Sequence, residues 1–307
     1  MNTAPQRSVR VFQVDAFTRQ RFAGNPAGVV LDAESLSEDE MRAIARELNN
    51  GDTAFALPPS STDHDIAVRF FTPRAEAGFV GHATVALHAV RTALGLPPAR
   101  RQKQKTGLVN IDCSSDNGAT RVHIQQPAPR LRGALAGESL AAVLAALNLT
   151  PDQLDPRCPP TLAGEGSTRA LLGLRDAATL AGIQPALATL AALSPQVGAQ
   201  GYLIYTLDSR IAGCLTEARM FCPAIGINED PVSGNAHGML GALLQSADLL
   251  PAPAADGRRH FIGAQGHHMH RPGQVHIAVE PGEAQGSTAG VTLSGEAVIV
   301  FETRITL

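Results

Sequence analysis

Short apolar runs rich in Val, Ile, Phe and Thr set the pattern of this chain, and Gly, Pro, Asn and Asp punctuate them. VRVFQVDAF (9–17) and AGVVLDA (27–33) predict strands, the second entered through a turn at Gly24-Asn25-Pro26. SEDEMRAIARELN (37–49) changes period: Met41, Ile44, Ala45 and Leu48 fall on one helical face, and Ser37 with Glu40 forms a capping box. This one-sided pattern is that of an ordinary surface helix, ending at Asn49-Asn50-Gly51. Asp52 stands at the junction, before the strand-like DTAFALP (52–58). A second strand, IAVRFFTP (66–73), precedes a helix HATVALHAVRTALG (82–95) that stops on Gly95 before Pro97-Pro98. GLVNIDC (107–113) and TRVHIQQ (120–126) predict a hairpin around Asp116-Asn117-Gly118.

After residue 133 a similar order returns. SLAAVLAALN (139–148) is a short helix, TRALLGL (168–174) a strand, and AATLAGIQPALATLAAL (177–193) helical with a break at Pro185. GYLIYTL (201–207) and EARMFCP (217–223) are strands, AHGMLGALLQSADLL (236–250) is a helix stopped by Pro251, and strands follow near 258–263, 273–280 and 290–306. Phe71-Thr72-Pro73, Glu76 and Gly81-His82-Ala83 lead into the first long helix. Phe221-Cys222-Pro223, Glu229-Asp230 and Gly234-Asn235-Ala236 lead into the second, with a longer gap between Pro and Gly. This order points to an internal repeat. A Gly at a helix start lets a ligand approach the first N–H groups, which have no intrahelical partner and favour an anion. Two such starts predict two anion-holding elements facing each other across a cleft, suited to a small carboxylic acid. Asp230 fits an ammonium or hydroxyl group better than a bare anion.

Composition narrows the class. A chain of 307 residues usually exceeds one core, so two domains are expected. A net charge of −3, no Trp and only 2 Tyr give no face for nucleic acid. The basic run Arg100–Lys105 is expected to be a solvated hairpin or linker. Four scattered cysteines fit a reducing compartment, no signal-like apolar region opens the chain, and no run reaches membrane-spanning length. The expectation is a cytoplasmic protein with no membrane or nucleic-acid partner. The segment HFIGAQGHHMHRPGQVH (260–276) raises a metal site, since His268 and His270 would share one face of a strand. An exposed His-rich turn is the simpler reading, and no metal is assigned.

VDAFT (14–18), FAGNPAGVVLDAESLSEDEMRAIARELN (22–49), DTAF (52–55), RFFTP (69–73), GHATVALHAV (81–90), RMFCPAIGINEDPVSGNAHG (219–238) and LSGEAVIVFETRI (293–305) together resemble the phenazine-biosynthesis, PhzF-like isomerase family. The resemblance implies an α+β, diaminopimelate epimerase-like fold with two pseudo-symmetric halves. Each half would be a curved, mostly antiparallel sheet around a central helix, with the active site between them. The halves would be 1–126, joined by the terminal strand at about 290–307, and 127–289. It also implies a homodimer without metal or organic cofactor. The family's acid/base carboxylate falls on Asp52, its substrate-contacting His on His82, and its second-half contacts on Asp230 and Asn235; Gly81, Ser233 and Gly234 at the two helix starts are expected to bind substrate as well. The family usually carries Glu where Asp52 stands, so the carboxylate retreats by roughly 1.5 Å. Gly24-Asn25-Pro26 lies near family sites but is read as a turn.

Two-thiol racemases of this fold carry Cys at the places of Val80 and Ser233, and neither is a thiol here. Cys222 is expected in the core. A single carboxylate can still remove a proton from carbon and return it elsewhere on the same face, given an apolar cleft that makes its neutral form accessible. The expectation is a cofactor-independent isomerase of a small amino- or hydroxy-acid-like carboxylate. The alternatives are a racemase or epimerase, and a non-catalytic metabolite-binding protein on the same scaffold.

Overall fold

A computed structural model describes residues 7–116 and 118–307. The chain divides into one compact unit of Met1–Gln125 with Ser294–Leu307, and a second of Gln126–Leu293. Among the described residues no helix is long and apolar enough to cross a membrane.

The first unit contains β1 (Ser8–Ala16), β2 (Asn25–Val30), α1 (Glu38–Leu48), β3 (Asp52–Leu57), β4 (Ile66–Phe71), β5 (Glu76–Ala77), α2 (Gly81–Ala93), β6 (Arg101–Gln104), β7 (Gly107–Asp116) and β8 (Ala119–Pro127), the last ending just past its boundary. The second contains β9 (Leu131–Ala134), α3 (Gly137–Ala146), β10 (Thr161–Ala163), β11 (Arg169–Leu174), α4 (Ala177–Gly182), α5 (Leu187–Val197), β12 (Gly201–Thr206), β13 (Thr216–Cys222), β14 (Ile227–Asp230), α6 (Gly234–Ser246), β15 (Arg259–Gln265) and β16 (Gly273–Pro281). β17 (Thr288–Thr306) gives its start to the second unit and its remainder, from Ser294, to the first.

In the first unit β17 pairs antiparallel with β1, β1 with β2, β3 with β4, and β6 with β7; β2–β3 and β4–β6 are parallel. Strands β1 to β4 bury apolar residues on both faces, as a sheet covered twice requires. Phe12, Val14, Ala54, Ala56 and Phe70 pack toward α2 with Ala83, Leu87 and Val90. Val11, Val30, Phe55 and Phe71 pack the other way, with Met41, Ile44 and Ala45 of α1. Phe55, Phe70 and Phe71 are fully buried, each contributing roughly 2 kcal/mol or more of apolar burial. Alternation along β3 therefore puts position 52 on the face of Ala54 and Ala56, the α2 side.

The α1 capping box forms as the sequence predicts, with Ser37 Oγ accepting from Glu40 N, and the helix stops at Asn49 in the left-handed region (φ 51°). The β7–β8 hairpin forms, and Asp116 pairs with Ala119. Asn117 of its predicted turn lies outside the described residues.

The second unit runs β9–β10–β11 antiparallel, β11–β12 parallel, β12–β13 antiparallel, β13–β15 parallel and β15–β16 antiparallel. Leu172, Tyr202, Ile204 and Phe221 face a core with Val143 of α3, its C-cap Leu147, Leu180 of α4 and Leu190 of α5. Gly241 lets α6 approach β15 and β16, since a Cβ there would lie 2.9 Å from Val279 and 3.1 Å from Ile277.

Three local expectations are corrected. Asn25 and Pro26 are not a turn: β2 starts at Asn25, which pairs with Ala16, and the turn conformation falls on Gly24 (φ 60°). The basic run is a hairpin arm, but not solvated throughout, because Gln102 and Gln104 point inward while Arg101 and Lys103 remain exposed. His268 and His270 do not share a strand face: His267–Met269 is a 3-10 turn and His270 is left-handed (φ 54°). Gly266, pressed against the Arg271 carbonyl, breaks the strand there.

Candidate active site

Asp52 is the first residue of β3, in parallel register with Ala27 of β2. It is 7% exposed. The left-handed stop at Asn49 and the unhindered Gly51 reverse the chain between α1 and β3. The α2 side of β3 is where α2 begins, and His82, its second residue, brings Nε2 to 3.8 Å from Asp52 Oδ2. Burial pushes the His82 imidazole down to about 4, so it is neutral at pH 7. Its Nε2 is buried with no hydrogen-bond partner among the described residues. Val80, the N-cap, makes no side-chain cap, so the α2 start keeps backbone donors unclaimed by a cap. The structure thus brings Asp52, Gly81 and His82 together.

In the second unit Asp230 ends β14, paired through its backbone with Met220. Ser233 caps α6, its Oγ accepting from Ala236 N at 3.4 Å, and Gly234 and Asn235 form the first turn. Gln265 straps this segment: its Nε2 donates to the Asp230 carbonyl at 2.6 Å and its Oε1 accepts from Ser233 N at 3.1 Å. His237 Nδ1 donates to the Ser233 carbonyl at 2.9 Å, and burial holds its imidazole at about 4. Sequence reasoning missed both supports. Gln265 arrives from β15 with no local signal. His237 could have been found by its spacing, four residues after the N-cap.

The carboxylates Glu76 and Glu229 of the repeated segments are engaged in ion pairs. Glu76 accepts from Arg69 Nε at 2.8 Å, and Glu229 accepts from Arg219 Nε and Nη2 at 2.9 Å each. Cys222 is buried and its thiol is pushed up to about 12, so it stays protonated. His268 Nε2 lies 3.9 Å from Glu217 Oε1, and the described residues contain no cluster of three or more ligating side chains arranged for a metal.

Strand register within each unit gives equivalent positions. Thr53 pairs with Phe71, and Tyr202 pairs with Phe221. The residue before each is Asp52 in one unit and Gly201 in the other. A Cβ on Gly201 would lie 2.5 Å from Cys222 Sγ and 2.9 Å from Met220 Cε, so its side-chain space is filled.

The family profile described as phenazine biosynthesis-like protein, PhzC–PhzF, matches residues 14–303. The chain belongs to this family, which places it among the isomerases. An uncharacterized isomerase of Salmonella typhimurium, YddE, is 40% identical over 295 residues, covering 95% of this chain and 96% of that one. The crystal structure of a Bacillus anthracis PhzF-family protein superposes with a TM-score of 0.84 at 27% identity, covering 98% of this chain and all of that one. A hydroxyproline epimerase of Agrobacterium vitis shares the fold at TM-score 0.65 and 12% identity, with 98% of this chain and 93% of that one covered.

Proposed function

We propose that this isomerase moves a proton between carbon atoms of a small carboxylic acid, with Asp52 as its only acid/base group. One observation carries the reading: Asp52 is buried beside a neutral His82, while Gly201 holds the same register position in the second unit. Stereoinversion by two facing groups needs two proton carriers. Val80 and Gly201 have no titratable group, Ser233 carries a hydroxyl that caps α6 and no thiol, and Cys222 stays protonated.

In the proposed step the Asp52 carboxylate takes a proton from a carbon activated by the substrate's own carboxyl group. The C–H electron pair moves into conjugation with that group. A C=C bond next to that carbon shifts as the new one forms, and Asp52, now a carboxylic acid, returns the proton to the far carbon of the old double bond on the same face. The neutral His82, in its Nε2–H tautomer, donates to a substrate oxygen as charge builds there. Its depressed basicity favours donation without loss of that proton. Gly81 lets the substrate approach the α2 N–H groups. Asp230, Ser233, Gly234 and Asn235 are proposed as further substrate contacts, with Gln265 and His237 holding their segment.

The test is solvent deuterium entering a carbon position of small amino- and hydroxy-acids, followed by NMR. Asp52→Asn is expected to abolish exchange, by about a thousandfold or more, with ligand affinity within about tenfold. Asp52→Glu is expected to retain exchange. Unchanged turnover in Asp52→Asn sinks the assignment. Tight binding without exchange in the unmodified protein favours a binding protein, and inversion at one carbon a racemase.

A further inference from the structure

Strand β6 buries amides where a core strand normally buries aliphatic side chains. Its inward residues are Gln102, fully buried, and Gln104, 9% exposed. Such groups are costly unless hydrogen-bonded, and here each is bonded in a directed chain. His88 Nε2 donates to Gln102 Oε1 at 2.9 Å. Gln102 Nε2 donates to Gln104 Oε1 at 2.9 Å and to Thr84 Oγ1 at 3.4 Å. Gln104 Nε2 donates to Thr106 Oγ1 at 3.1 Å. The two branches end on backbone: Thr84 Oγ1 donates to the Val80 carbonyl at 2.8 Å, and Thr106 Oγ1 to the Gly78 carbonyl at 3.5 Å. Thr106 is seated there by its methyl as well, since a Cβ on Gly78 would lie 2.7 Å from Thr106 Cγ2. Both carbonyls belong to the segment that delivers Gly81 and His82.

We propose that Gln102, Gln104, Thr84 and Thr106 are positioning residues that hold residues 78–80 and thereby fix His82 against Asp52. The physical case is the choice of side chains. Support of the sheet alone would be met by aliphatic residues, because replacing both members of a buried bonded pair by apolar groups is nearly neutral. A linked polar network instead admits one arrangement, since any slip strands several buried groups at once. Val80 supplies no side-chain cap, so the α2 start relies on this outside restraint. Burial keeps His88 neutral, at about 4, which leaves it one N–H to begin the chain. A reacting group must be held within about half an ångström to be effective.

The role assigned to His82 rests on the function proposed above, so the test reads His82 directly in the ligand-free protein as well as in turnover. The imidazole resonances of His82 are followed by 1H–15N NMR, with amide exchange of Gly81, His82 and Ala83, in Gln102→Leu. The expected result is a displaced His82 resonance and first-turn exchange faster by about tenfold or more. Deuterium incorporation should lose kcat by about tenfold or more with KM within about twofold. Lower thermal stability with His82 resonances and amide exchange unmoved overturns the proposal. If Gln102→Leu fails to fold, Thr106→Val decides by the same criteria, because it removes only the hydroxyl at the exposed end; Thr106→Ser should restore the signal. A displaced His82 in a protein that exchanges no substrate proton supports the positioning and removes the proposed reaction, so the two fail separately.

Discussion

Strand β3 begins with Asp52 and strand β12 with Gly201, although each pairs one residue later with the Phe of its neighbouring strand. The scaffolding around them matches. Arg69 stacks over Phe71 at 4.9 Å and bonds Glu76, while Arg219 stacks over Phe221 at 5.0 Å and bonds Glu229. Both units then start a 13-residue helix on Gly. In each, the residue four after the N-cap donates to the N-cap carbonyl: Thr84 to Val80, and His237 to Ser233. What differs is the chemistry set on this frame. The first unit has a buried carboxylate, an imidazole 3.8 Å from it and an N-cap without a side-chain bond. The second has a filled glycine site and a serine cap. An acidic group at position 201 would strike Cys222 Sγ and lie buried without a carboxylate's solvation. Packing thus explains why the second unit has no carboxylate at the position matching Asp52.

The contrast can be tested through stability, beginning with acid. His82 and His88 of α2 and His237 of α6 are each pushed down to about 4 by burial, from an ordinary 6.5. Unfolding lets each bind a proton below 6.5, so the unfolded chain gains protons first. Stability from this source is complete above about pH 6.5 and is lost as pH falls toward 4. Each group contributes a slope of up to about 1.4 kcal/mol per pH unit. Denaturant unfolding between pH 7 and 4.5 should show the loss. Amide exchange should report opening near α2, which has two of the three, before α6. A flat profile breaks this account of the buried histidines.

A smaller effect separates the two arginines. Arg219 has 10% of its side chain exposed, bonds Glu229 twice and donates to the Ile183 carbonyl at 2.8 Å. Arg69 has 30% exposed; its partner Glu38 lies nearer solvent, while Glu76 is covered as much as Glu229. Arg219→Met should cost about 2 kcal/mol in denaturant unfolding and Arg69→Met about 1 kcal/mol, since Arg219 is the more buried arginine and its loss strips donors from both Glu229 and the Ile183 carbonyl. Equal losses would mean that the shared Arg–Phe stacking, and not the burial of the ion pair, dominates.

The smallest change concerns the caps. Ser233→Ala should cost about 1 kcal/mol through loss of the bond to Ala236 N, whereas Val80→Ala removes no cap and only part of a buried side chain. Amide exchange at Ala236 should accelerate in the first variant, with no matching change at Ala83 in the second.

Much of this was readable along the chain because the signals are local. The capping box of α1 needs only Ser37 and Glu40, and its end needs only an Asn that tolerates the left-handed region. The motifs placed the chain in its family, and the same motifs marked Asp52 at a strand start and His82 at a helix start. The misreadings share one cause, that a neighbour distant in sequence decides. Asn25 and Pro26 become strand because Ala16 and Asp15 pair with them. Gln102 and Gln104 become interior because His88 and Thr106 bond them. Gln265 becomes a strap only where β15 passes the segment from Asp230 to Ser233.

By itself the sequence determined where the chain turns, which faces are apolar and which residues have acid/base chemistry, because caps, turns and periodicity act over a few neighbours. Tertiary structure alone decided that Asp52 and His82 meet at 3.8 Å, since alternation along β3 aims Asp52 at α2 only once α2 lies on that face. It also decided that His82 is neutral, because burial and not residue type moves an imidazole from 6.5 to about 4.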